Sequence, residues 1–339
     1  VSAASDLAAL AALAAVIGGD ITQVQGPGGN VSLKQNGMLF VKASGTWLAA
    51  AQDASIFVAL RLDELRGAIA KGDDVASVAS IAVPGTRMEL RPSIETVLHA
   101  FLPHRVVVHT HSVSTIAHAV LVDANSRLAP KLAGLRWNLV PYARPGLPLL
   151  DAVRLAIGDG KPDVLVLANH GLVIAADTVE AAATLLADVE RRLHVPARLL
   201  PCSDNLPALS SGSRFRLPVD TTCHAIARDA QALRRAVSGA LYPDHVVFLG
   251  PGAPPCLERD AAAAPDAPML LCPGRGVLLR VDLGAAGEEM VRCLAHVLLR
   301  LAPDDDVAVL SAQDEADLMG WGAEEYRRRL DRCPASLAG

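Results

Sequence analysis

Aromatic residues are scarce in this 339-residue chain, at 3%, so there is little from which to build a base-stacking surface. Positive charge is also in deficit: 31 Lys and Arg face 36 Asp and Glu, for a formal charge of -5. That balance removes the electrostatic case for nucleic acid or an anionic membrane as partner. The longest apolar stretch near the start, Leu7 to Gly19, falls short of the roughly 20 residues that cross a bilayer. It has no basic leader and follows Asp6, so it reads as an amphipathic helix rather than a secretory signal. The expected compartment is the cytoplasm. Cysteine is missing from the first 200 positions, and the six present (Cys202, Cys223, Cys256, Cys272, Cys293, Cys333) form no CxxC pair. A zinc ribbon is excluded, and reduced, structural thiols are expected.

What the chain does have is apolar content: 51% of residues are hydrophobic, enough for a large core, and the length suggests two domains. Residues 1–198 alternate strand-like and helix-like segments. Asn30–Lys34 and Met38–Lys42 read as a hairpin around Asn36-Gly37. Ser55–Leu60 reads as a strand and Leu62–Ala70 as a helix, with a second helix from Ser93, its N-cap, to Leu102. Strand Arg105–His111, helix Ser114–Val120, the Pro-rich passage Pro141–Pro148, strands Asp163–Ala168 and Leu172–Ala175, and helix Thr178–Leu193 follow. The mixture implies a layered α/β domain with helices on a mixed or antiparallel sheet. A linker is expected over residues 199–218, where Pro, Ser and Gly concentrate. In the C-terminal extension, residues 219–339, Thr222–Ser238 and Glu288–Leu301 look helical, and His245–Leu249 and Gly276–Val281 look like strands.

The most informative motif is His109-Thr110-His111, directly after Val106-Val107-Val108. On a strand, residues i and i+2 share a face, so two imidazoles project side by side, and imidazole is a favoured ligand of zinc and its neighbours. Rival owners of an HxH motif fail. A metallo-hydrolase HxHxD needs Asp where Val113 stands, and a cupin needs Glu where Ser-Val-Ser-Thr-Ile-Ala follows. His170, where a buried strand meets the Asn169-His170-Gly171 turn, is a third candidate ligand. Glu95, at the start of the helix leading into the His109 strand, is a fourth. Such an ion would act as a Lewis acid on a hydroxyl and a carbonyl, stabilising a developing enolate, and a loosely attached carboxylate would serve as base. Among the other histidines, His99 shares a helical face with Glu95, and His104 is expected to be exposed. His118, His194, His224 and His296 read as structural, and His245 begins a strand. The Gly26-Pro27-Gly28-Gly29-Asn30 segment is not GxGxxG and leads into a hairpin, so it is a poor dinucleotide loop.

In order along the chain, Gly29-Asn30-Val31-Ser32, Lys42-Ala43-Ser44-Gly45, Pro92-Ser93-Ile94-Glu95, Val108-His109-Thr110-His111, Pro141-Tyr142-Ala143 and Ala168-Asn169-His170-Gly171 resemble the class II aldolase/adducin family over roughly residues 5–195. The resemblance implies a three-layer α/β/α sandwich with a mainly antiparallel central sheet, and a fourfold-symmetric homo-oligomer. It implies Zn2+ or another divalent ion on His109, His111 and His170, with Glu95 as ligand and acid/base. Gly29, Asn30, Ser44, Gly45 and Ser93 match positions lining the substrate's anionic end. The chain has Pro27, Gly28 and Ile94 where many phosphate-binding members carry hydroxyls, so an unphosphorylated polyol or a carboxylate is an open substrate class. The expected activity is a carbon–carbon lyase acting on a hydroxy-keto sugar or acid by retro-aldol reaction through a metal-bound enediolate. Decarboxylation or epimerisation on the same site, and a non-catalytic, adducin-like assembly role, are the alternatives.

Overall fold

The Asn36-Gly37 dipeptide makes the first piece of the fold. Both residues have positive φ, 52° and 72°, the turn geometry whose twist matches a two-residue hairpin. Strands β1 (Asn30–Gln35) and β2 (Met38–Lys42) pair antiparallel across it. The structure, a computed structural model, describes residues 3–52, 55–73, 81–83, 90–199, 214–250, 256–257 and 266–332. It divides into two compact units, Val1–Ala119 with Ala124–His194, and Val120–Asp123 with Val195–Gly339.

In the first unit the hairpin is extended by β3 (Phe57–Arg61), β4 (Val106–Thr110), β5 (Trp137–Val140), β6 (Val164–Leu167) and β7 (Gly171–Ala176). Together they form a seven-stranded sheet in the order β3-β2-β1-β4-β7-β6-β5. Every neighbouring pair is antiparallel except β5 with β6. The register puts Leu39, Val41, Val58, Leu60, Val107, Val173, Ala175 and Leu165 on one face. Helices α2 (Leu62–Ala70), α3 (Thr96–Phe101) and, after α4 (Val113–Ala119) and α5 (Ala124–Leu128), α6 (Leu147–Ile157) cover it. Leu65, Ile69, Val97, Leu98, Leu150 and Val153 fill the space between. The opposite face, with Val31, Val106, Val108 and Ile174, lies under α1 (Ala3–Gly18), α4 and α7 (Val179–Leu193). This is the expected three-layer sandwich. Helix α1 is apolar around most of its circumference, yet Leu10, Ala14 and Ile17 are its buried stripe, spaced as one helical face.

Three local expectations change in this unit. Ser93 does not cap α3. It opens a turn in which its carbonyl accepts from Thr96 N–H (3.0 Å), so that Glu95 holds the N-cap position. Trp137–Val140, to which the sequence assigns no element, forms β5, and Pro148, the end of the Pro-rich passage, sits in the first turn of α6, where its missing N–H costs nothing. His104 is buried rather than exposed, its Nε2 3.2 Å from Asp163 Oδ1.

The second unit holds a four-stranded sheet in the order β8 (Phe215–Arg216), β11 (Gly276–Arg280), β10 (Met269–Cys272), β9 (Cys256–Leu257). The helical reading of Thr222–Ser238 is broken by Asp229, whose carboxylate caps a new helix by accepting from Gln231 and Ala232 N–H. The segment His245–Leu249 is not a strand. It belongs to a helix, Pro243–Leu249, every residue of which is buried. Pro243 pre-sets the first helical turn, and a short apolar run reads alike in a buried strand and a buried helix. The extension also carries helices Ala285–Leu298, Ala312–Met319 and Gly322–Arg332. Arg327 in the last is buried and donates to Asp244 at 2.8 and 3.1 Å and to Glu324 at 2.9 Å. Burial disfavours its charge, but the two carboxylates outweigh that and raise its pKa. Cys223, Cys272 and Cys293 are buried and form no disulfide. Cys202, Cys333 and most of the 199–218 linker lie outside the described residues.

His245 is an acceptor in this core: its Nδ1 takes the Leu241 N–H at 3.3 Å, and burial pushes its pKa down to about 4. The unfolded chain therefore binds a proton below a pKa of roughly 6.5 that the folded chain refuses until about pH 4. Stability falls as pH drops through that window, by up to about 1.4 kcal/mol per unit from this residue. His245→Leu should lower the urea midpoint at pH 7, because the Leu241 N–H contact to the ring is lost, yet flatten the further fall between pH 6 and pH 5. An unchanged slope would show that His245 does not titrate in this way.

Candidate metal centre

Three chain segments meet at one end of the large sheet. Strand β4 ends there in His109-Thr110-His111, β1 begins there at Asn30, which pairs directly with His109, and the β6–β7 turn carries His170. The turn is tight because Asn169 adopts the left-handed conformation, φ 52°, which Asn tolerates better than most residues. Gly171 follows where a Cβ would lie 2.3 Å from Thr110 O and 3.4 Å from the His109 ring. Glycine is thus required for β7 to reach the histidine strand.

The three imidazoles form a compact trio. Ring centroids are 4.9 Å apart for His109 with His111 and with His170, and 5.3 Å for His111 with His170. One nitrogen from each lies within 4.8 Å of the others, and all three residues are buried. His109 Nδ1 is 3.0 Å from the Leu172 carbonyl, which accepts its N–H and leaves Nε2 with a lone pair for the trio. The Nε2 atoms of His109 and His111 are 3.1 Å apart.

Glu95 completes the cluster. Its Oε2 is 3.3 Å from His109 Nε2, and its Oε1 is 3.5 Å from His170 Nε2. Asn30 Nδ2 donates to Oε2 at 2.7 Å, whereas Oε1 is buried and accepts no hydrogen bond among the described residues. Burial acts to raise the Glu95 pKa. His109 and His170, the Asn30 hydrogen bond and His111 together outweigh it and hold the carboxyl down at about 2. Three imidazole nitrogens and an ionised carboxylate are a donor set that suits Zn2+ and similar divalent ions. The orphaned Oε1, facing the trio, fits a bound cation.

Of the remaining expected residues, Gly29 and Ser93 touch members of this cluster. A Cβ on Gly29, φ 58°, would come within 2.9 Å of His109 O and of Val24. Ser93 Oγ accepts from Glu95 N–H at 3.3 Å. Backbone pairing ties Ser44 to the Ser93 segment, with Ser44 N–H donating to Arg91 O at 2.8 Å and Ser93 N–H to Lys42 O at 3.1 Å, and Gly45 follows Ser44 with φ 78°.

Lys42 opens the Lys42-Ala43-Ser44-Gly45 motif, but the motif alone does not show what it does. Its buried ammonium donates to the carbonyls of Pro27 (2.7 Å) and Gly29 (3.0 Å), with Gly28 O at 3.5 Å. One lysine thus holds the whole Gly26–Gly29 loop against β2. The available signal was a cation ending a strand whose other members are apolar. A buried charge this close to a glycine loop needs carbonyl partners.

A mixed α/β fold with a buried three-histidine cluster at one end of its sheet defines a protein that could hold a divalent metal. Residues 8–196 match the family described as Class II Aldolase and Adducin N-terminal domain, and the chain belongs to that family. It is 30% identical over 276 residues to a Bacillus subtilis (strain 168) protein named Uncharacterized oxidoreductase YuxG. That match covers 74% of this chain and 39% of the relative, so the chain spans about two fifths of that protein's length. It is 27% identical over 183 residues to the L-fuculose phosphate aldolase of Methanococcus vannielii, covering 52% of this chain and 89% of that one. Among solved structures it is similar to the N-terminal class II aldolase domain of a conserved Thermoplasma acidophilum protein. There the identity is 27% and the TM-score 0.47, covering 54% of this chain and 89% of that one.

Isothermal titration at pH 7.5 should show one zinc equivalent per chain, and His170→Ala should weaken it at least about 10-fold. At zinc 100-fold above the dissociation constant, bound metal should add about 2.7 kcal/mol to folding stability. Lys42→Met should cost about 1–3 kcal/mol, since it leaves buried carbonyls without a donor, measured by urea denaturation of the metal-free protein.

Proposed function

We propose that this chain is a divalent-metal-dependent carbon–carbon lyase that cleaves a hydroxy-carbonyl sugar or acid derivative by retro-aldol chemistry. The observation that carries the reading is the Glu95 carboxylate, buried at the histidine trio with one oxygen held by Asn30 and the other accepting no hydrogen bond among the described residues. His109, His111 and His170 would hold the ion, zinc in the first instance. When bound, the ion supplies Lewis acidity toward a hydroxyl and a carbonyl of the substrate. Glu95 takes the hydroxyl proton onto Oε1 and returns it later in the cycle. Asn30 keeps the carboxylate turned toward that proton by its donated hydrogen bond to Oε2. Ser44 and Ser93 offer hydroxyls, and Gly29 and Gly45 allow close backbone approach, at the substrate's anionic end. Desolvation around the buried trio keeps these interactions strong.

Similarity to an L-fuculose phosphate aldolase supports a lyase over other chemistries. The oxidoreductase name of the other relative belongs to a protein of which this chain spans 39%. In this chain the Gly26–Asn30 loop runs into strand β1, not into the helix of a dinucleotide fold. Decarboxylation and epimerisation use the same groups, and product analysis separates them: two carbonyl fragments, carbon dioxide, or an isomer. A non-catalytic assembly role is disfavoured because all four candidate ligand positions carry competent residues, already gathered together.

The test is a retro-aldol screen of the zinc-loaded protein against phosphorylated and unphosphorylated keto sugars and keto acids. Release of two carbonyl fragments is expected, with Glu95→Gln at saturating zinc losing about 10²–10⁴-fold in turnover. Full turnover by Glu95→Gln would contradict the assignment of the base.

A further inference from the structure

We propose that Ser32 and His99 form a positioning pair for Glu95, fixing from behind where its carboxylate stands at the histidine trio. The inference rests on reading the trio and Glu95 as a metal site. Its ground is a polar column in a layer that should be apolar. On the sheet face under α3, apart from His109 opposite Asn30, the residues paired with β1 are apolar: Val41 and Leu39 on β2, and Val107 on β4. Yet β1 itself turns Asn30, Ser32 and Lys34 to that face, all buried.

Each of the three meets the segment that carries Glu95. Asn30 Nδ2 donates to Glu95 Oε2 at 2.7 Å, Ser32 Oγ is 2.7 Å from His99 Nδ1, and Lys34 Nζ donates to the His104 carbonyl at 2.6 Å. The spacing is what makes the column a ruler. Two residues along a strand advance about 6.8 Å, and four along a helix about 6 Å, so Asn30 and Ser32 meet Glu95 and His99 one helical turn apart. Sliding or rotating α3 on the sheet would break both contacts at once.

The pair is hard to explain as packing. His99 is fully buried, and burial holds it neutral, its pKa pushed down to about 3. Its Nε2 has no hydrogen-bond partner among the described residues. An apolar side chain there would avoid stranding that nitrogen. What the histidine provides instead is one directional contact to the strand that also bears Asn30, and so one fixed position for the helix start.

The experiment measures zinc affinity by chelator competition at pH 7.5 for the wild type, Ser32→Ala, His99→Leu, Glu95→Ala and the double variants with Glu95→Ala. Thermal midpoints of the metal-free proteins serve as the fold control. Ser32→Ala and His99→Leu should each weaken zinc binding by about 10-fold, the lower end of what outer-shell partners contribute. In the Glu95→Ala background neither should weaken it further, because a positioning pair acts through the carboxylate. A wild-type chain that takes up no zinc would overturn the metal reading and this inference with it. If zinc binds and Glu95→Ala weakens it, unchanged affinity in Ser32→Ala overturns the inference alone. So does equal weakening with and without the Glu95 carboxylate, which would mark a general loosening of the site. Should His99→Leu fail to fold, Ser32→Ala carries the same test.

Discussion

An ionised carboxylate at 4% exposure has lost nearly all its water, and Glu95 is such a group. Removing a carboxylate from water costs several kcal/mol, and the described residues return one hydrogen bond, from Asn30. The rest of the compensation faces it as three imidazoles that are bases as much as acids. Two states satisfy this cluster: a proton shared among the rings, or a divalent cation between them and the carboxylate. Much of the first unit can be read as the scaffold that forces these four groups together.

That scaffolding is done by close approach of backbone rather than by bulk. Gly171 lets β7 come within contact of Thr110, and Asn169 in the left-handed region turns the chain so that His170 meets the trio. Gly29 lies against the His109 carbonyl, and Lys42 gathers the carbonyls of the preceding loop. None of these residues belongs to the three-histidine, one-carboxylate set. Each removes a degree of freedom from a segment that carries one of its members, and site precision depends on such outer support.

Much of this was legible before the structure. The HxH pair announced itself because a strand period of two puts both rings on one face, and the Asn36-Gly37 turn fixed the hairpin register. A strand end and a helix start mark His170 and Glu95 in the sequence; the fold makes His170 one of the trio and sets Glu95 3.3 Å from His109 and 3.5 Å from His170. The failures have physical reasons. Pro243–Leu249 is wholly buried, so its apolar run had no periodicity to separate helix from strand. His104 looked exposed because a turn was expected to face solvent, but Asp163 across the sheet draws it in. Lys42 and the Ser32–His99 contact were invisible because their meaning depends on partners 13 to 67 residues away, which no local pattern encodes. The second unit offered few motifs, and its buried anchors, Arg327 with Asp244 and His245 with the Leu241 amide, are legible only in three dimensions.

If His109, His111 and His170, with Glu95, bind a divalent metal as proposed, X-ray absorption at the zinc edge of the zinc-loaded protein, purified without chelators, will show it. A first shell of nitrogen and oxygen at about 2.0–2.2 Å is expected, with imidazole outer-shell scattering and no sulfur. A sulfur shell at about 2.3 Å would place the ion on the cysteines instead, and either that or a protein that retains no zinc would overturn the metal site.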